Sequence, residues 1–216
     1  MKRAYFLTGT DTGVGKTLAA CALLHAAAAQ GMRTLGMKPV AAGGSEDVDA
    51  LVAASSVAAP RDCVNPYLLR EPLAPHIAAR RDGVAIDIAH IVQCFGELRG
   101  LADFLVVEGV GGFRVPLDDS RDSADLAVSL GLPVILVVGL RLGCINHTLL
   151  TAEAVRARGL SLAGWIANQV DATMACVQEN IAALRTRLDA PLLGSVPHLA
   201  APDAIRVAEM LTLPED

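Results

Sequence analysis

Residues 5–17 read Tyr5-Phe-Leu-Thr-Gly9-Thr-Asp-Thr-Gly13-Val-Gly15-Lys16-Thr17, and an uncharged, alanine-rich stretch follows. A short apolar run therefore feeds a glycine-rich turn that ends in Gly-Lys-Thr, and a helix-forming segment begins at once. Strand, tight turn and helix in that order make a loop whose backbone N–H groups converge on one point. That is the arrangement that cradles phosphate, and it makes nucleotide binding the first expectation for the chain.

Each residue type in the loop has a physical task. Gly13 and Gly15 can take the turn conformations that aim consecutive N–H groups inward. The helix starting near Lys16 adds the positive end of its dipole. Lys16 reaches the outer phosphates and the Thr17 hydroxyl suits Mg2+. One spacing departs from the usual motif: the outer glycine is Gly9, and Thr10 stands where glycine is expected. The alternative is a glycine turn before an ordinary core helix, and the strand and helix flanking the loop in the required order weigh against it.

The chain has 216 residues, 53% of them hydrophobic, drawn mainly from Ala, Val and Leu, with only 3% aromatic. This suits one α/β domain spanning residues 1–216, its helices packed closely on a buried sheet. A formal charge of −5 with no basic stretch argues against nucleic acid as a partner. The longest strongly apolar run, 132–140, falls far short of the roughly 20 residues that span a bilayer. The N-terminus runs directly into a strand, so no signal peptide is expected. The five cysteines are scattered without a C-x-x-C pair, which predicts free thiols, no zinc and a cytoplasmic protein.

Apolar runs predict strands at 3–8, 33–38, 103–108, 133–139, 161–167 and 191–196. Helices are predicted near 16–30, 47–56, 87–101, 122–130, 145–158, 172–188 and 202–211. Strands of nearly continuous Val, Ile and Leu, as at 133–138, are those of a parallel sheet covered on both faces. The fold class is α/β: a P-loop NTPase-like, doubly wound, mainly parallel sheet with helices on both faces.

Ligands in such folds gather beyond the carboxyl ends of the strands, and that rule selects the polar residues to weigh. Lys38 ends the second strand beside Pro39; at a strand end it is either a solvated charge or a cation beside the phosphates, and the location favours the second. Glu108 follows Phe-Leu-Val-Val at the same edge, the position of a Mg2+-binding carboxylate, with Gly109, Gly111 and Gly112 allowing close backbone approach. Asp49 is ambiguous, because an acidic residue in a first helical turn also serves the helix dipole. Asn168 can turn the chain or read a base edge. The helix after Gly143 opens an N-terminus that can hold an anion.

Taken together, Tyr5 to Thr17, Lys38-Pro-Val-Ala41, Asn65-Pro-Tyr67, Pro75-His76, Val107-Glu-Gly-Val-Gly-Gly112, Pro133 to Gly139, Leu142-Gly-Cys-Ile-Asn-His147 and Leu162 to Asn168 resemble the dethiobiotin synthetases over nearly the full chain. That family shares the stretched P-loop spacing. The resemblance implies that 7,8-diaminononanoate, CO2 (bicarbonate) and MgATP give dethiobiotin. An amine captures CO2 as a carbamate, the γ-phosphoryl group of ATP activates it as a carbamic–phosphoric anhydride, and the second amine closes the ring.

By the same resemblance Gly13, Val14, Gly15, Lys16 and Thr17 hold phosphates, and Thr12, Lys16 and Lys38 surround the reacting groups. Thr17, Asp49 and Glu108 hold Mg2+. Gly109, Val110, Gly111 and Gly112 line the nucleotide and substrate space. Asn168 and Gln169 face adenine, and Pro197, His198 and Leu199 pack near the base. Gly143, Cys144, Ile145 and Asn146 receive the substrate carboxylate from a neighbouring subunit, since the family forms homodimers with sites at the interface. The chain departs from the family pattern at Ala42, where serine often contacts substrate, at Gln169 in place of aspartate, and in a short 43–49 segment.

Two other classes share parts of this pattern. Division-site and partition ATPases carry a signature lysine where this chain has Asp11, and commonly end in a membrane- or DNA-binding element that is absent from the short, non-basic 204–211 segment. Amidoligases usually add a glutaminase domain with a nucleophilic cysteine, for which 216 residues leave no room.

Overall fold

The computed structural model describes residues 2–215. Its centre is a six-stranded, wholly parallel sheet in the order β2-β5-β1-β6-β7-β8. The strands are β1 (Arg3–Gly9), β2 (Thr34–Met37), β5 (Phe104–Glu108), β6 (Val134–Leu140), β7 (Leu162–Gln169) and β8 (Leu192–Val196). All six correspond to the apolar runs read from the sequence. Register sets Leu7 beside Glu108 and Gly9 beside Val137, so the ends of β1, β5 and β6 open at one level. The chain leaves β1 toward β2 on one side, and the connection from β5 passes over β1 to β6 on the other. That reversal opens a crevice at the end of β1.

Side-chain alternation supplies each face with its own core. Phe6, Met37, Leu105 and Val107 face one side, with Ile91 and Leu98 of α5 (Ile88–Arg99) and Ala127 of α6 (Ser123–Leu130). Tyr5, Leu7, Val106 and Val137 face the other, against Ala20, Leu23, Leu24 and Ala27 of α1 (Lys16–Ala29) and Val207 of α9 (Ala204–Ala208). Leu136 and Val138 of β6 and Trp165 of β7 pack with Ala152 of α7 (Cys144–Ala157) and Leu184 of α8 (Val177–Arg185). The alanine-rich α1 lies close to the sheet because small side chains permit it.

Between β2 and α5 the helix predicted near 47–56 forms as α2 (Glu46–Ala54), but periodicity did not reveal the rest. A two-stranded parallel pair, β3 (Val40–Ala42) and β4 (Tyr67–Leu69), stands apart from the main sheet, with α2, α3 (Arg61–Val64) and α4 (Pro75–Asp82) around it. Three-residue strands are too short to show an alternation. Two helices are shorter than predicted. The Asp171 side chain accepts from the Thr173 N–H and hydroxyl, a turn that competes with helix and delays α8 to Val177. Leu211 bridges to Gly194, which ends α9 early. Among the described residues no helix is long and apolar enough to cross a membrane.

Candidate functional site

The P-loop leaves β1 with its ladder still continuing. Thr10 N–H donates to Val137 O at 3.0 Å and the Thr10 hydroxyl accepts from Gly139 N at 3.3 Å. Thr10 thus carries the ladder's hydrogen bonding one residue past β1, and the tight approach falls on Gly9, where a Cβ would come within 2.6 Å of the Val14 side chain. This accounts for the outer glycine standing one residue early. At the far end Gly15 has φ +85° and caps α1 without any side-chain hydrogen bond, so the first N–H groups of the helix remain available to an anion. Asn168 braces the loop, donating from Nδ2 to Val14 O at 2.8 Å.

Thr12, Gly13, Gly15, Lys16, Thr17, Lys38, Ala42, Asp47, Glu108, Val110 and Gly111 line a cleft of about 420 Å3. Gly109 contributes its carbonyl, 3.3 Å from Lys38 Nζ, and Gly112 lies against the Gly9 carbonyl at the loop's start. A second hollow of about 280 Å3 shares Gly13 and Gly15 and is closed by Leu18, Asn168, Gln169, Val170, Pro197, His198, Leu199 and Pro202. The two meet along the P-loop, one polar and charged, the other mostly apolar with amide groups. A larger hollow of about 520 Å3 at the amino ends of the strands, by Arg3, Tyr5 and Pro133, contains none of these residues.

At the floor of the cleft Lys38 Nζ stands 2.5 Å from Glu108 Oε1 and 3.0 Å from Asp47 Oδ2. The Thr17 hydroxyl is 2.7 Å from Asp47 Oδ1 and 2.9 Å from Glu108 Oε1, and can donate to one of them at a time. Glu108 is fully buried and its Oε2 has no hydrogen-bond partner among the described residues. Burial pushes the Glu108 carboxyl up against the pull of Lys38. The Lys38 ammonium, which burial alone would lower, is held above its ordinary range by Glu108 and Asp47. Asp47, half-buried, is held low by Lys38 and the Thr17 hydroxyl despite its desolvation. Lys16 is pulled down to about 8 by burial and then by the charge of Lys38, and it donates to Asp11 O at 3.0 Å.

Two carboxylates, one with an unpartnered oxygen, and a hydroxyl are hard oxygen donors. They fit Mg2+, which binds through one or two carboxylates and completes its shell with water and substrate phosphates. The carboxylate that the structure brings beside Thr17 and Lys38 is Asp47, not the Asp49 expected there. Asp49 turns outward, accepting from Ser45 at 2.7 Å and pairing with Arg61. A signal was present in the spacing: Asp47, Leu51 and Ala54 stand at i, i+4 and i+7, and the last two are buried, whereas Asp49 shares a side with the exposed Val52.

Gly143, Cys144, Ile145 and Asn146 lie outside both hollows. Gly143 has φ +94° and leads into α7, and Cys144 is buried toward Asn180. Their turn is tied to the P-loop by an ion pair between Arg141 and Asp11. Leu18 and Val170, apolar walls of the second hollow, were not singled out by sequence, because nothing separates them from core residues there.

Residues 3–206 match the family model described as AAA domain. An ATP-dependent dethiobiotin synthetase BioD of Aromatoleum aromaticum is 60% identical over 220 residues, 98% of each chain. One of Janthinobacterium sp. is 56% identical over 209 residues, covering 91% of this chain and 89% of that protein. Among solved structures, the septum site-determining protein MinD of Pyrococcus horikoshii, complexed with Mg-ADP, superposes with a TM-score of 0.59 at 17% identity, over 91% of this chain and 82% of that one. That likeness is one of fold.

Proposed function

The chain belongs to the ATP-dependent dethiobiotin synthetases, ligases of biotin synthesis, and from that premise we propose how its residues divide the work. ATP lies along the P-loop, its phosphates on Gly13 to Thr17 and its base in the hollow of Asn168, Gln169 and Pro197 to Leu199. The observation that carries this reading is the cluster of Lys38, Glu108, Asp47 and Thr17 in one cleft with an open helix N-terminus.

One amine of 7,8-diaminononanoate adds to CO2 and loses a proton, giving a carbamate anion. A carbamate oxygen attacks the γ-phosphorus, the bond to the ADP oxygen breaks, and a carbamic–phosphoric anhydride forms. The second amine then attacks the carbamoyl carbon, expels phosphate and gives up its proton as the ring closes. The protein's share is alignment and charge neutralisation, since phosphoryl transfer needs little covalent help. Lys16 and Lys38 offset charge on the transferring group, and Thr12 flanks the carbamate. Thr17, Asp47 and Glu108 would hold Mg2+, which would neutralise charge on the phosphate oxygens.

The substrate carboxylate rests on the Gly143 to Asn146 turn of a second subunit. Leu142 and Leu150, 95% and 57% exposed beside that turn, support a homodimer contact there. Five free cysteines support a reducing cytoplasm. The test is incubation with MgATP, bicarbonate and 7,8-diaminononanoate, followed by mass spectrometry. Dethiobiotin in proportion to ADP, requiring all three substrates, is the expected result. ATP hydrolysis indifferent to the diamine, with no product, would reject the reading.

A further inference from the structure

Lys38 stands between β2, an edge strand of the main sheet, and Pro39. The outer N–H groups of that edge have no neighbouring strand and are taken one by one. Thr34 N donates to Ser56 Oγ at 2.8 Å, Gly36 N to Ser55 Oγ at 3.0 Å, and Lys38 N to Val64 O at 2.9 Å. Pro39 has no N–H, so the ladder cannot run on through it. What remains is the Lys38 carbonyl, and it is held by a side chain: Asn65 Nδ2 donates to it at 2.6 Å.

Asn65 is itself well anchored. Its backbone N–H donates to Arg61 O at 2.8 Å, and Pro66 after it keeps its backbone extended, at φ −137° and ψ 85°. The same Nδ2 lies 3.3 Å from Tyr67 O, and Tyr67 N donates to Pro39 O at 3.1 Å. Both amide hydrogens are therefore spent on backbone, on either side of the bend that carries Lys38. Asn65 lines neither hollow of the site.

We propose that Asn65 is a positioning residue for Lys38: its grip on the lysine carbonyl determines where the ammonium stands in the cleft. This rests on the role given to Lys38 above. The ammonium sits at the end of a flexible four-carbon stem, and its alignment depends on a fixed root. A misplacement of about 1 Å is enough to cost on the order of a hundredfold in rate. The phosphates, by contrast, are gripped by residues 13–17 on different elements, so ATP affinity does not depend on Asn65.

The experiment uses Asn65→Asp, which keeps the shape but offers a carboxylate that cannot donate, and Asn65→Ala. Each is made in the wild-type chain and in Lys38→Ala. Turnover is read as ADP release with all substrates present, affinity by calorimetry with a non-hydrolysable ATP analogue, and folding by melting temperature. In the wild-type chain both variants should lower kcat about tenfold or more and leave analogue affinity within about twofold. In Lys38→Ala the same changes should alter residual turnover less than about twofold, because no ammonium is left to place. Wild-type kcat in Asn65→Asp would overturn the proposal. So would an equal loss on both backgrounds, a parallel loss of analogue affinity, or failure of both variants to fold. If Lys38→Ala alone keeps full turnover, the reading of Lys38 falls, which is a separate outcome.

Discussion

The Thr17 hydroxyl and Asp47 Oδ1 stand 2.7 Å apart, joining the first turn of α1 to the first turn of α2. Asp49, two residues further on, is turned to Arg61. Asp47→Ala should therefore raise the Mg2+ concentration needed for half-maximal rate at least tenfold or abolish turnover, while Asp49→Ala stays within about twofold. Initial rates across a Mg2+ titration decide it. A reversed ranking would return the metal role to Asp49.

Lys38 and Glu108 make a buried ion pair, with side chains 4% and 0% exposed. Lys38→Ala is expected to cut kcat about a hundredfold or more with much of the ATP affinity kept. It also strands a buried carboxylate, which costs about 3–5 kcal/mol of stability. Urea unfolding of the ligand-free protein reads this second effect. Adding Glu108→Gln should restore part of the stability but not the rate, and an unchanged unfolding midpoint in Lys38→Ala would contradict the account.

Gly15 and Gly13 both have left-handed backbones, yet their surroundings differ. A Cβ on Gly15 would come within 2.3 Å of Asn168 Nδ2, whereas one on Gly13 meets nothing within 4 Å. Gly13→Ala should carry only backbone strain, roughly 1–2 kcal/mol. Gly15→Ala should in addition dislodge the asparagine that braces Val14 and lower affinity for an ATP analogue at least tenfold more. Calorimetry on the two variants compares them directly, and equal affinities would dismiss the brace.

Asp103 is held down to about 2 by the Arg33 guanidinium and backbone N–H. Its folded value lies below its unfolded one, so the stability it contributes is present above about pH 4 and is lost as pH falls through about 2. Asp103→Asn should lack that portion of the acid dependence. Urea midpoints at a series of pH values would show it as a shallower slope between about pH 4 and pH 2, and identical slopes would remove the pair from the acid response.

The sequence alone was enough for the six strands of the main sheet, the P-loop and the glutamate at the end of β5. These rest on local patterns: nearly continuous apolar runs for a sheet buried on both faces, and glycines where a backbone must turn tightly. Lys38 was legible for the same reason, as a charge delivered by an apolar strand to the edge where ligands gather. Tertiary structure placed Asp47 rather than Asp49 against the P-loop: a helix turns about 100° per residue, and the faint i, i+4, i+7 pattern of Asp47, Leu51 and Ala54 gains its meaning only once packing shows which side is covered. It also decided strand order, the small β3–β4 pair and the hold of Asn65 on Lys38. Those depend on segments distant in the chain closing on one another, and no local pattern of three or four residues encodes such a meeting.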